Sequence, residues 1–245
     1  MTLSLLVMVP TRWRRENCER ILKSFTEATD SADLVFITDA DDDSYQDMDW
    51  GVATNATLDM GRERVGTTAK VNALTSAAID DYDAFMYIGD DHLFSTPHWD
   101  TILLTKLEEK MGGTGMIYGD DKRRTDIPEM IIITSDIIKA LGHFAEPMLT
   151  HYYIDNVWAE IGSRADLLRF CPDAVFEHLH YQVRPDVEHD QTYSSAENLW
   201  GASDQQAYQE WRSTVMPMQT AVLRRNFNPD VKWVRGKVKW VRGKV

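Results

Sequence analysis

The sequence predicts an α/β protein built on a mostly parallel sheet with helices on both faces. Three observations carry that prediction. Short apolar runs at residues 3–9, 34–38 and 84–88 are each followed by a stretch with helical spacing. The runs are continuously apolar rather than alternating, as expected for strands covered on both sides. The chain has 245 residues, 43% hydrophobic and 27% charged, which is ample for one sizeable core and too balanced for a disordered segment. No apolar run approaches the roughly 20 residues that span a bilayer. No basic-then-apolar leader follows Met1, so the expected compartment is the cytoplasm.

Taken in order, residues 3–9 stop at Pro10 and pass through polar Thr11, Arg12, Trp13, Arg14 and Arg15 into a helix with Cys18, Ile21, Leu22 and Phe25 on one face. Strand 34–38 closes on the acidic loop Asp39, Ala40, Asp41, Asp42, Asp43, and 67–79 has helical spacing through Thr68, Val71, Leu74 and Ala78. Strand 84–88 ends in Gly89-Asp90-Asp91-His92, followed by an amphipathic helix over 99–111 through Ile102, Leu103 and Leu107. Residues 116–118 and 130–134 are short strands, and 135–141 is a helix capped by Thr134 or Ser135 and stopped by Gly142. A helix over 153–161 precedes a late strand over 174–180, whose period of two places His178 and His180 on one face. Ser203 is expected to cap a last helix through Trp211, with Pro217 interrupting the chain beyond it. No low-complexity linker divides the chain, so residues 1–230 are expected to form one domain and 231–245 a basic tail.

A net charge of -13 argues against holding DNA or RNA by broad phosphate neutralisation. The tail is the exception, because its tandem copy (231–237, then 238–244) carries Lys232, Arg235, Lys237, Lys239, Arg242 and Lys244 without an acid. Nucleic acid is therefore a partner only through this tail, unless the duplication is a solubilising or frayed terminus. Cys18 and Cys171 belong to no CxxC pair and are expected as buried thiols.

In open parallel sheets, ligands bind at the carboxyl ends of the strands, and the unusual polar residues of this chain collect there. The three strands end at Thr11-Arg12, at Asp39 and at Asp90-Asp91-His92. A cationic loop, an isolated acid and a carboxylate cluster on one edge suit a nucleotide diphosphate with a divalent cation. There is no GxGxxG after the first strand and no Walker lysine motif. Asp39 to Asp43 also lacks the sixth-position glycine and twelfth-position glutamate of an EF-hand loop.

The ordered set Val9-Pro10-Thr11-Arg12, Asp39, Lys70-Val71-Asn72-Ala73-Leu74 and Tyr87-Ile88-Gly89-Asp90-Asp91-His92, with Trp99 a few residues on, resembles the GT-A glycosyltransferases, particularly the family-2-like enzymes. The resemblance covers the first 110 residues by short motifs and continues more loosely to about residue 212. It implies the Rossmann-like fold of nucleotide-diphospho-sugar transferases. It also implies metal-dependent transfer of a sugar from a nucleotide sugar, UDP-linked, to an acceptor it does not name: a glycan, a protein or a modified base. Short acidic enzymes of this kind also occur in phages.

By the same resemblance, Asp39 accepts from the base, Pro10, Thr11 and Arg12 lie alongside it, and Lys70 sits near the base or diphosphate. The metal motif departs from a strict DxD because Gly89 comes first, leaving Asp90, Asp91 and His92 as candidates. Asp91 is expected on the metal and Asp90 on the ribose or a metal-bound water. Late histidines His178 and His180 are implied as further ligands, and a mixed imidazole and carboxylate set suits Mn2+, with Mg2+ as the other cation, better than Ca2+. Asp155 takes the acceptor-side position of a base. Apart from the resemblance, Asp120, Asp121, Lys122, Arg123 and Arg124 form a charged loop after a short strand, either shaping the acceptor pocket or standing as a solvated face. Two other readings stand beside this one. A nucleotidyltransferase would show a glycine-rich GxGTR-like first loop, which Pro10-Thr11-Arg12-Trp13 is not; a non-catalytic nucleotide-sugar or partner-binding module would bind without turnover.

Overall fold

The computed structural model describes residues 3–58, 65–182, 184–187 and 189–228; the repeat at 231–245 lies outside the described residues. In chain order the elements are β1 (Leu5–Pro10), α1 (Arg15–Ala28), β2 (Asp33–Asp39), β3 (Thr54–Leu58), α2 (Thr67–Ala78), β4 (Ala84–Tyr87), β5 (His92–Phe94) and α3 (Trp99–Met111). They continue with β6 (Met116–Asp120), β7 (Ile131–Thr134), α4 (Ser135–Leu141), α5 (Ile154–Ala165), β8 (Leu168–His178), α6 (Gln191–Thr214) and α7 (Met216–Phe227). The strands form one sheet in the order β3-β2-β1-β4-β7-β6-β8-β5. β1 pairs in parallel with β2 and β4, β2 with β3, and β6 with β8, whereas β7 and β5 run against their neighbours.

The apolar runs are strands covered on both faces. Leu5, Val7 and Val9 of β1 pack with α1 and α3 through Ile21, Phe25, Trp99 and Leu103. Their neighbours Leu6 and Met8 point the other way, into a cluster with Val71 of α2, Ile137 of α4, Trp158 of α5, Trp211 of α6 and Leu223 of α7. This two-layered cover matches the predicted architecture. No helix among the described residues is long and apolar enough to cross a membrane.

Three expectations are corrected. α6 begins at Gln191, where Asp190 accepts the backbone N–H groups of Thr192 and Tyr193; Ser203 lies inside the helix and donates its hydroxyl to the Trp200 carbonyl. Pro217 stands in the first turn of α7, where a missing N–H costs nothing, so it helps to start a helix rather than interrupt one. β8 ends at His178, and although the Leu179 N–H still bonds the Asp91 carbonyl opposite it at 2.7 Å, Leu179 is buried beside His178, so the alternation stops before His180. Edge strand β3 and three-residue β5 had no sequence signal, the first because it is polar and largely exposed, the second because it is so short.

Candidate active site

The carboxyl ends of β1, β2 and β4 meet on one edge. Beyond β1, the Thr11 hydroxyl donates to Asp90 Oδ2 at 2.8 Å and lies 2.7 Å from the Tyr45 hydroxyl. The Arg12 guanidinium forks onto Asp41 at 2.6 and 2.8 Å and also reaches Asp39 Oδ2 at 2.8 Å. Lys70, from the first turn of α2, places its ammonium 2.9 Å from Asp39 Oδ1. Each oxygen of Asp39 thus faces a cation, and Lys70 is buried at 4% exposure rather than solvated. α2 can start this close because Gly66 has no side chain: a Cβ there would lie 2.3 Å from the Thr150 carbonyl oxygen. Pro10, Thr11, Arg12, Lys70 and Asp90 line a cavity of about 140 Å³.

Arg14, two residues past Arg12, is the cation that holds Asp90. It binds Asp90 Oδ1 at 2.8 Å, forks onto Asp190 at 2.8 and 2.9 Å, and stacks over the Tyr193 ring at 4.0 Å. Both oxygens of Asp90 are therefore held by protein donors. The start of α6 closes over this edge, with Thr192 donating to the Arg12 carbonyl at 3.1 Å and Tyr193 donating to Asp91 Oδ2 at 2.6 Å.

Asp91, His92 and His178 converge, with one ligand atom from each lying within 4.8 Å of the others. The cause is register: β5 pairs antiparallel with β8 so that His92 stands opposite His178, and the two imidazoles stack 3.9 Å apart. Asp91 Oδ1 is 3.2 Å from His92 Nδ1, and Asp91 Oδ2 is 3.2 Å from His178 Nε2. Gly89 leaves room for that carboxylate, since a Cβ would come 2.7 Å from Asp91 Oδ1. Burial works to raise Asp91, yet His178 and His92 hold it well below the usual carboxylate range. Burial also works to lower His178, but Asp91 and Glu129 raise it to about 9. His92 is lowered, by burial and then by His178. Both His92 ring nitrogens are buried without a hydrogen-bond partner. Orphaned imidazole nitrogen beside a carboxylate and a second imidazole is a donor set that fits a divalent transition-metal cation. His180, expected in this set, lies past the strand end; its ring is 5.1 Å from that of His178, and among the described residues it joins no such cluster.

A larger cavity of about 440 Å³ adjoins the first, and Tyr87, Gly89, Asp91, His151 and Tyr193 line both. On its wall stand Asp155, Glu129, Arg124 and His180. Burial lowers His180 to about 4, so its imidazole is neutral near pH 7. Asp155 is the second residue of α5, which starts at Ile154 directly after Tyr153, and Tyr153 holds a left-handed φ of 66°. The preceding loop is fixed by buried Asp204 of α6, which accepts the N–H groups of Thr150, His151 and Tyr152 at 2.8 to 3.0 Å. Burial raises Asp155 from 3.8 to about 6, opposed by a hydrogen bond from the Asn156 N–H at 2.9 Å. A carboxylate poised near neutrality on a cavity wall can take a proton from a bound hydroxyl.

The structure thus gathers Pro10, Thr11, Arg12, Lys70 and Asp90 around one cavity, with Asp39 behind Arg12 and Lys70 and off its lining, and brings Asp155 to the next cavity, with Asp91 on the wall of both and His178 on that of the second. Arg14, Glu129, Asp190 and Tyr193 were not singled out from the sequence. Arg14 had a signal, as a further cation in the loop already suspected; the other three stand in polar stretches without motif spacing.

No family model matches the sequence, and no curated protein matches it. Among solved structures, a mannosyltransferase from Pyrobaculum calidifontis in complex with GDP-Man and Mn2+ aligns over 92% of this chain and 74% of its own, with a TM-score of 0.57 and 13% identity. Glucosyl-3-phosphoglycerate synthase from Mycobacterium tuberculosis, in complex with Mn2+, UDP and glucosyl-3-phosphoglycerate, aligns over 92% and 80%, with a TM-score of 0.55 and 13% identity. TarS of S. aureus aligns over 71% of this chain but 36% of its own length, with a TM-score of 0.52 and 11% identity. The fold is the GT-A fold of nucleotide-sugar glycosyltransferases.

Proposed function

We propose that this protein is a metal-dependent glycosyltransferase that moves a sugar from a nucleotide sugar to a hydroxyl-bearing acceptor. The observation that carries the reading is the position of Asp91, on the wall shared by a cavity edged with Lys70, Arg14 and Asp90 and a cavity edged with Asp155. The smaller cavity suits the nucleotide diphosphate. Arg14 and Lys70 offer cations to phosphates, and Asp39, held between Arg12 and Lys70, would take a base only by exchanging one of those contacts for it. Asp91, His92 and His178 would hold the divalent cation, Mn2+ by the donor set, with Asp90 behind them organising Thr11 and Arg14. Such a cation, when bound, supplies charge neutralisation for the departing diphosphate.

The larger cavity suits the acceptor. Asp155 takes the proton as the acceptor oxygen forms its bond to the anomeric carbon and the bond from that carbon to the diphosphate oxygen breaks. The structural neighbours support the reading, since one was solved with GDP-Man and Mn2+ and another with UDP and Mn2+. The resemblance in the donor motifs favours UDP.

The test is thermal stabilisation by UDP, GDP and their sugars with and without Mn2+. A ligand at about 100 times its Kd adds about 2.7 kcal/mol to the native state, which for a chain of this size is a Tm increase of about 5–11 °C. We expect that increase to require Mn2+ and to vanish in Asp91→Ala, which should still fold because Asp91 stands at a strand end rather than in an apolar cluster. An unchanged increase in the folded variant removes Asp91 from the site, and no increase with any nucleotide refutes the reading.

A further inference from the structure

We infer that Glu129 is the positioning residue for His178, holding the imidazole so that Nε2 is the nitrogen presented to Asp91 and to a cation beside it. The inference rests on the metal site proposed above. His178 Nδ1 lies 2.7 Å from Glu129 Oε2, while Nε2 of the same ring lies 3.2 Å from Asp91 Oδ2. The two nitrogens therefore have separate tasks fixed by geometry. Without Glu129, Nδ1 would be buried with no acceptor, and the ring could turn or change tautomer.

Glu129 is itself fixed. Its other oxygen, Oε1, accepts from Arg123 Nη1 at 2.5 Å, and Arg123 Nη2 donates on to Gln182 at 2.7 Å. Glu129 thus holds His178 with one oxygen and Arg123 with the other, and it also clusters with Asp121 and His178. The loop between β6 and β7 is shaped for this purpose. Asp121 Oδ1 accepts the N–H groups of Arg123 and Arg124, each at 2.8 Å, and the Asp121 carbonyl accepts the N–H of His178 itself at 3.1 Å. Backbone and side chain of this loop thus meet the same histidine. A carboxylate behind a metal-ligating imidazole fixes its tautomer and raises its basicity, and loss of such a partner typically lowers metal affinity by about 10- to 100-fold.

The experiment measures Mn2+ binding alone, without nucleotide, by the EPR signal of the free ion, on the full chain and on Glu129→Gln, Glu129→Met and His178→Ala. Melting curves establish that each variant is folded. Met fills the space of Glu without an acceptor, whereas Gln keeps an oxygen for Nδ1 and loses the charge. The expected order is wild type, then Gln weaker by less than about tenfold, then Met weaker by about 10- to 100-fold, then His178→Ala without measurable binding. Should Met be too unstable, the weakening in Gln decides. Equal Mn2+ affinity in wild type and Met overturns the inference and leaves the metal site standing, and equal weakening in Gln and Met overturns it by reducing the part of Glu129 to its charge rather than its hold on Nδ1. If wild type and His178→Ala bind Mn2+ equally, the metal site itself falls and Glu129 loses its role with it.

Discussion

Replacing Asp155 by asparagine is expected to make the protein more stable and remove its activity. Asparagine has the shape of the carboxylate and can still accept the Asn156 N–H, so the loop and α5 should keep their geometry. Aspartate at this place has its pKa raised from 3.8 to about 6. The native state therefore holds the proton more tightly than the unfolded chain does, and stability is lost as pH rises between those two values. That interval corresponds to about 3 kcal/mol. Asp155 keeps partial contact with solvent, and the start of a helix returns up to about 1 kcal/mol to an anion there, so about 1.5 kcal/mol is the working figure.

In a chain of this length, 1.5 kcal/mol is a Tm increase of about 3–6 °C. The variant and wild type should melt alike below about pH 4, separate between pH 4 and 6, and stay separated above. Mn2+-dependent nucleotide stabilisation should be unchanged, while transfer falls by about 10²- to 10⁴-fold, the usual share of a general base. Scanning calorimetry from pH 4 to 8 reads the first part, and nucleotide release with a competent acceptor reads the second. Equal melting at every pH would mean that Asp155 is not a costly buried anion. Transfer near the wild-type rate would leave it only as a helix-terminal acid.

Tyr193→Phe should bind Mn2+ about tenfold more tightly, because the 2.6 Å hydroxyl bond to Asp91 Oδ2, of a kind worth about 1.5–3 kcal/mol, competes with a cation for the same oxygen. Titration followed by EPR checks it, and weaker binding would show that the hydroxyl supports the site instead. Lys70→Met leaves buried Asp39 facing Arg12 alone. Breaking a buried pair costs about 3–5 kcal/mol; the surviving Arg12 contact puts this case at the lower end, a Tm loss of about 6–12 °C. A loss below about 2 °C would mean that Asp39 is satisfied without the lysine.

The donor side was legible because strand ends are legible. An apolar run must stop somewhere, and where it stops at Thr11, Asp39 or Asp90 the parallel sheet delivers that residue to the ligand edge whatever the details of packing. The metal cluster was only half legible, for a reason that lies in pairing rather than composition. His92 was visible as one of three candidates in Gly89-Asp90-Asp91-His92, but its standing opposite His178 depends on the register of a three-residue strand. No periodicity can be measured over so short a segment. His180 failed in the opposite way. A period of two holds only while successive side chains alternate between faces, and Leu179 is buried directly after buried His178. Lys70 shows the remaining limit: a helix lysine is ordinarily solvated, and only the fold reveals an acid waiting for it at the end of β2. Each site residue that sequence missed or misplaced depends on a contact between segments far apart in the chain. Glu129 is the extreme case, since it stands just before a short strand without any motif spacing, and its meaning appears only once β8 has brought His178 to within 2.7 Å.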